Sequence, residues 1–132
     1  MSLCFAILVT GQPYSDQSSK TALQFCKALI ERQHNIYRVF FFNDGVHCAN
    51  SFITPPQDEQ AIPRQWQALQ KEHDLDLVIC VSSALRRGVI NQKEAHRYDV
   101  TGHNMAEGFN IGGLGQWVDA CINADRVIRF GS

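Results

Sequence analysis

One short segment near the middle of the chain combines a thiol with hydroxyl and guanidinium groups. The apolar run 77–81 has no polar alternation, which is typical of a strand buried on both faces of a parallel sheet. At its end or directly after it come a cysteine, two serines and two arginines: Cys80, Ser82, Ser83, Arg86 and Arg87. Either serine could cap a helical turn, whose free N–H groups and positive dipole end favour thiolate over thiol. The segment therefore has the residue types of a reactive thiol.

Burial is the alternative interpretation of Cys80. Cysteine is among the residues most often fully buried, where it packs as a small apolar side chain. On the residues alone, packing is favoured over reactivity. For Arg86 and Arg87 the alternative to holding a thiolate is an exposed position or a contact with another subunit.

The remaining thiols do not form the pattern of a disulfide framework or a metal site. The five cysteines are an odd number without a C-x-x-C pair: Cys4, Cys26, Cys48, Cys80 and Cys121. This argues against a zinc ribbon or a thioredoxin motif and favours reduced thiols. His47 and Cys48 are adjacent, and adjacent residues rarely bind one metal ion together. We expect Cys4, Cys26 and Cys121 to pack in the protein and predict no metal site.

Two further polar features follow predicted strands. The turn signal at 43–45 puts Asp44, His47 and Asn50 at the carboxyl edge of a sheet, where they either line a ligand site or are merely solvated. The segment 108–115 superficially resembles a glycine-rich phosphate loop. It lacks the lysine of a P-loop and the G-x-G-x-x-G spacing, so a brief strand turning tightly into a helix is the alternative.

Composition excludes several classes of protein. Among 132 residues, 12 basic and 13 acidic side chains give a formal net charge of −1, and no Lys/Arg-rich segment stands out. Direct, strong nucleic-acid binding is therefore not expected. The apolar runs are shorter than the roughly 20 residues of a membrane span, and the N-terminal residues do not have the pattern of a secretory signal. We expect a cytoplasmic protein.

Apolar periodicity predicts strands alternating with helices. The predicted strands are 3–9, 36–42, 77–81, 109–111 and 126–130, the last an edge strand because it carries arginines. Amphipathic helices are predicted after Ser15 or Asp16, from Pro63, and from Asn91, capped with Glu94, to about Arg97. A last helix has one apolar side that we expect to pack on the sheet: Leu114, Trp117, Val118, Cys121 and Ile122.

This order predicts an α/β fold. We expect one domain over residues 1–132, with a mainly parallel five-stranded sheet and helices on both faces.

With these motifs assigned, the chain resembles the DsrE/TusD family of sulfur-relay proteins over nearly its whole length. The resemblance is carried by residues 5–11, 39–46, 79–89, 108–115 and 125–127. The segment 79–89, with the sequence ICVSSALRRGV, is the most specific of them. The resemblance implies a DsrE-like sulfurtransferase domain.

The resemblance also implies a role for one cysteine and a set of partners. The family's cysteine at the position of Cys80 carries sulfur as a persulfide, and the other four cysteines receive no role. The family forms a TusBCD complex with two copies of each of three chains, so TusB-like and TusC-like subunits are implied. A TusA-like protein donates the sulfur and a TusE-like protein accepts it, for 2-thiolation of the wobble uridine of certain tRNAs. No metal or organic cofactor is implied.

From thiol chemistry we add that Ser82, Ser83, Arg86 and Arg87 stabilise the anionic sulfur. Three other functions stay open: a DsrE-type subunit serving sulfur oxidation, a non-catalytic structural subunit, and a flavodoxin-like nucleotide binder using residues 108–115.

Overall fold

The computed structural model describes all residues from Met1 to Ser132, and its five strands form one sheet. The strands are β1 (Cys4–Val9), β2 (Asn35–Phe41), β3 (Leu77–Cys80), β4 (Phe109–Gly112) and β5 (Arg126–Phe130). The helices are α1 (Ser18–Glu31), α2 (Ile62–His73), α3 (Val81–Arg86), α4 (Gln92–Arg97) and α5 (Leu114–Asn123), with a 3₁₀ helix at Asn43–Ala49. No helix is long and apolar enough to cross a membrane.

All neighbouring strands are parallel, in the order β4-β3-β2-β1-β5. The predicted α/β fold is confirmed, and the arginine-bearing β5 lies at an edge as expected. The carboxyl ends of all five strands meet at one edge, where the loops that follow β1, β2 and β3 lie next to one another. Residues 108–115 form the short strand and the turn into α5 that the alternative interpretation predicted.

The larger core lies on the sheet face covered by α1 and α2. Its hydrophobic cluster contains 22 buried residues, whereas the cluster on the opposite face contains three. Trp66 of α2 packs edge-on against Phe41 of β2 with ring centroids 5.1 Å apart, and Phe41 meets Phe109 of β4 at 5.5 Å. Cys26 and Cys48 are both fully buried in this core. The predicted packing role of Cys26 is confirmed.

The opposite face is covered by α5 alone, and this helix departs from the prediction. Leu114, Val118 and Ile122 are 53, 55 and 76% exposed, and Ala120 is the buried residue of the helix. We call these three side chains, which repeat every four residues, the α5 stripe. The expectation that they pack on the sheet was wrong, because these three side chains lie on the side of α5 that faces away from the sheet. Trp117 does face the sheet, with its ring 6.0 Å from that of Phe40.

The starts of α1 and α4 match their predictions only in part. Gln17 is the N-cap of α1, and Asp16 accepts a hydrogen bond from the Ser18 amide at 2.8 Å. Asn91 caps α4 by accepting from the Glu94 amide at 2.8 Å, as predicted. The carboxylate of Glu94 faces Arg97 at 3.7 Å. The reciprocal bond from Glu94 back to Asn91 is thus not made.

Candidate functional site

Cys80 is the last residue of β3 and the N-cap of α3, so it stands at the carboxyl edge of the sheet. Its strand neighbour in β4 is Gly112, which presents no side chain beside the thiol. The first amides of a helix have no partner within the helix, and those of α3 belong to Val81, Ser82 and Ser83. Negative charge close to these amides is favoured by the positive end of the short helix dipole.

The side chain of Cys80 belongs to the thinly covered face. It is 3% exposed and packs with Phe40 and Val78. Three partly buried apolar side chains border this cluster: Leu8, Phe42 and Trp117. These three side chains make up the rest of the apolar cover on this part of the sheet face. The sequence analysis did not assign Leu8, Phe42 or Trp117 to the site, although the period-two alternation of strands places Phe40 and Phe42 on one face.

Ser83 and Arg87 turn toward the 3₁₀ helix. The Ser83 hydroxyl accepts a hydrogen bond from the Asn43 amide at 3.0 Å, and the Ser83 carbonyl accepts from Nη1 of Arg87 at 3.3 Å. Nε of Arg87 donates to Asp44 at 2.7 Å. These bonds of Ser83 and Arg87 fix α3 against the 3₁₀ helix that follows β2. Because Asp44 neutralises much of the Arg87 charge, the field of Arg87 at the thiol is smaller than that of a free guanidinium.

Ser82 and Arg86 are exposed, and because they are four residues apart they share one side of α3, different from that of Ser83 and Arg87. Arg86 lines a depression with Leu85, Ile90, Tyr98 and Val100. The structure thus brings Ser83 and Arg87 together and leaves Ser82 and Arg86 separate from them. All four belong to the short helix that begins at Cys80.

A polar pocket of about 620 Å³ opens at the carboxyl ends of β1 and β2. Asp44, His47 and Arg87 line it together with residues of the loop after β1. Burial lowers the pKa of His47, an effect that Asp44 partly opposes. Asp44 and His47 thus line one pocket at this edge. Whether that pocket holds a ligand stays a prediction. Asn50 is elsewhere, because its side chain accepts hydrogen bonds from Asn104 and from the Phe52 amide.

Two of the other cysteines are poorly suited to act as nucleophiles at neutral pH. Burial raises the pKa of the Cys26 thiol to about 12 and that of Cys48 to about 12. Cys48 lies 3.0 Å from the Ser19 hydroxyl and is fully buried. Burial and the charge of Asp125 also raise the pKa of Cys4. Cys121 lies on α5, at the far end of the helix from the carboxyl edge of the sheet.

Comparison with known proteins places this arrangement in a family. The chain is 44% identical over 130 residues to the sulfurtransferase TusD homolog of Aliivibrio fischeri, covering 98% of this chain and 100% of that protein. It is 42% identical over 126 residues to sulfurtransferase TusD of Enterobacter sp., covering 96% and 98%. A relative from Allochromatium vinosum whose name gives DsrE sulfurtransferase is 44% identical over 127 residues, covering 96% and 98%.

The fold has a counterpart among solved structures. The YchN protein of E. coli superposes with a TM-score of 0.77 at 20% sequence identity, covering 98% of this chain and 100% of that one. Residues 4–130 match the DsrE/DsrF-like family. The chain therefore belongs to the DsrE/DsrF-like family.

Proposed function

We propose that the chain is a cytoplasmic sulfurtransferase subunit that carries sulfur on Cys80 as a persulfide. The observation that supports this most directly is the position of Cys80 as the last residue of β3 and the cap of α3. Cys26 and Cys48, by contrast, lie inside the larger core, where burial raises the pKa of both thiols to about 12. The names of the sulfurtransferase relatives agree with the proposal.

The proposed reaction is two successive displacements at sulfur. The Cys80 thiolate attacks the outer sulfur of the persulfide on a TusA-like donor, the donor's S–S bond breaks, and the donor leaves as a thiolate. The thiolate of a TusE-like acceptor then attacks the outer sulfur on Cys80 and regenerates the Cys80 thiolate. One S–S bond forms and one breaks in each step. No net oxidation occurs and no cofactor is needed.

The groups that hold the anionic sulfur are, in this proposal, the amides of Ser82 and Ser83 and the charges of Arg86 and Arg87. The amides act because they are the free donors at the start of α3. Arg87 contributes less charge than Arg86, since Asp44 pairs with it at 2.7 Å. Ser83 and Arg87 also keep α3 in place through their bonds to the 3₁₀ helix.

The assembly we propose is a complex with TusB-like and TusC-like subunits, two copies of each of the three chains. The α5 stripe supports this assembly, because a helix side this apolar and this exposed is typical of a surface that a partner covers. The relay would end in 2-thiolation of the wobble uridine of tRNA. The near-neutral charge agrees with a subunit that does not hold the tRNA itself.

The persulfide can be tested by mass. The purified complex is incubated with a persulfide donor, and the intact mass of this chain is measured before and after reduction. We expect one added sulfur atom that reductant removes, its loss in Cys80→Ser, and its retention in the matched control Cys121→Ser. An unchanged adduct in Cys80→Ser would reject the assignment, and an adduct absent from the wild type would favour a structural subunit.

A DsrE-type subunit in sulfur oxidation is the second candidate. The Allochromatium vinosum relative is as similar as the TusD homolog of Aliivibrio fischeri, at 44% identity each. The two candidates share the chemistry at Cys80 and differ in the acceptor. Single-turnover transfer from the Cys80 persulfide to purified acceptors of the two classes separates them.

A further inference from the structure

Three shallow depressions adjoin one another around Val100 and make a continuous groove beside α4. Val100 lines all three depressions, and Ile90 lines two of them. The apolar side chains of the groove are Phe52, Leu85, Ile90, Tyr98 and Val100. Phe52, Tyr98 and Val100 are 68, 57 and 49% exposed. We call this feature the α4 groove; its apolar floor lies open to solvent.

The rim of the α4 groove is positively charged. Arg86 lines one depression and Lys93 another, and no Asp or Glu lines any of the three. Neither Arg86 nor Lys93 makes a salt bridge within the chain. The nearby Arg97 is different, since it faces the buried Glu94 at 3.7 Å. The apolar side chains of the groove are therefore uncovered, and no carboxylate in its lining neutralises Arg86 or Lys93.

The α4 groove begins close to the sulfur carrier. Cys80 caps α3 and Arg86 ends it, so about 9 Å of helix separates the two residues along the axis. Because an extended chain spans about 3.3 Å per residue, a segment seated beside Arg86 would need about three further residues to cover that axial distance. Cys80 is only 3% exposed, so a protruding segment suits it better than a flat surface.

The composition of the groove differs from that of the α5 stripe. The stripe is uniformly apolar, as obligate subunit contacts are, whereas the groove mixes exposed apolar side chains with unpaired cations, as transient contacts do. We infer that the α4 groove is the docking surface for the protein that accepts sulfur from Cys80, and that it binds a segment carrying carboxylates beside apolar side chains. This inference rests on the proposed function of Cys80.

The test measures binding without sulfur transfer. The intact complex carrying Cys80→Ser is titrated calorimetrically with the TusE-like acceptor, and the Kd is compared with those of complexes that also carry Val100→Asp, Arg86→Glu or Lys93→Glu. Each change is expected to raise the Kd about tenfold. Arg64→Glu and Lys71→Glu make the same charge changes on exposed positions of α2, outside the groove, and are expected to leave the Kd unchanged.

Several outcomes overturn the inference. An unchanged Kd in Val100→Asp and Arg86→Glu excludes the groove as the docking surface. If these variants no longer hold the other subunits, the groove is a subunit interface. If the Kd rises for the TusA-like donor and not for the TusE-like acceptor, the groove is the donor's docking surface. If Cys80 fails to take up sulfur while the Kd pattern holds, the proposed function fails and the docking surface stands. Circular dichroism of each variant shows that the chain is folded.

Discussion

Arg38 of β2 and Asp119 of α5 form an ion pair at 3.1 Å across the sheet face that contains Cys80. The same guanidinium donates to the Gln116 carbonyl at 2.7 Å and, through Nε, to Asp76 at 2.7 Å. Tyr37 adds a bond to Asp119 at 2.8 Å. Together with the packing of Trp117 near Phe40, this network attaches α5 to the sheet face that contains Cys80.

Replacing Arg38 with alanine is therefore expected to loosen α5. The side chain is 14% exposed, and because its partners Asp76 and Asp119 are 37 and 49% exposed, its removal is expected to lower the free energy of unfolding by about 1 kcal/mol. We expect Arg38→Ala to lower the urea midpoint and to increase the rate at which N-ethylmaleimide modifies Cys80 in the folded protein. Arg126→Ala removes an exposed arginine from β5 and serves as the control. An unaltered modification rate at Cys80 would show that the network does not govern access to the thiol.

Cys26 and Cys48 are expected to resist alkylation in the folded protein. Burial raises the pKa of both thiols to about 12, so at pH 8 they are protonated and out of reach. Peptide mass mapping after a timed pulse of iodoacetamide should find both unmodified without urea and both modified above the unfolding transition. Modification of either at the rate of an exposed cysteine would contradict the burial described for the core.

The pH dependence of stability should contain a contribution from His47. Its pKa is lowered in the folded protein by burial, so the unfolded chain binds the proton more tightly. The stability due to neutral His47 is complete above the unfolded pKa of about 6.5 and is lost as the pH falls through the lower folded pKa. Urea unfolding from pH 7.5 to 5 should therefore show a smaller loss of stability in His47→Gln than in the wild type. Equal losses would count against this burial effect.

Features that depend on residues close together in the sequence were predicted, whereas contacts between distant parts of the chain were not. The apolar run of β3 and the cap at Asn91 are local patterns, and both were predicted correctly. Asn104 is different, because it accepts from the Ile90 amide at 2.9 Å and donates to the Gly88 carbonyl at 2.9 Å. A lone asparagine in a polar stretch gives no local sign of these bonds. The surroundings of Cys80 were missed for the same reason, since Leu8 and Trp117 come from distant strands and helices.

The outward side of α5 is a second limit of sequence reasoning, and it makes a testable prediction. Periodicity shows that a helix side is apolar but not whether the core or another subunit covers it. Val118→Asp is expected to abolish co-purification with TusB-like and TusC-like chains and to change the free energy of unfolding of the isolated chain by less than about 1 kcal/mol. Gln57→Asp adds the same charge to an exposed loop and should co-purify normally. Retained assembly in Val118→Asp would remove the support that the α5 stripe gives to the complex.

The pairing of Arg87 with Asp44 predicts opposite effects of two substitutions on Cys80. Asp44→Asn leaves Arg87 without its neutralising partner, so more positive charge acts at the thiol. The rate of Cys80 alkylation should then reach its half-maximum at a lower pH than in the wild type. Arg86→Ala removes a cation that has no carboxylate partner, and it should move that half-maximum to higher pH.

Two features of this experiment separate electrostatics from structure. High salt should reduce both shifts in the pH of half-maximal alkylation. The charges are partly exposed, and they are screened within about 8 Å at physiological ionic strength. Arg64→Ala removes a cation from α2 and should leave the profile in place. If Asp44→Asn instead displaces α3, the modification rate changes at every pH while the half-maximum stays where it was, and the role assigned to Arg87 at the sulfur is then wrong.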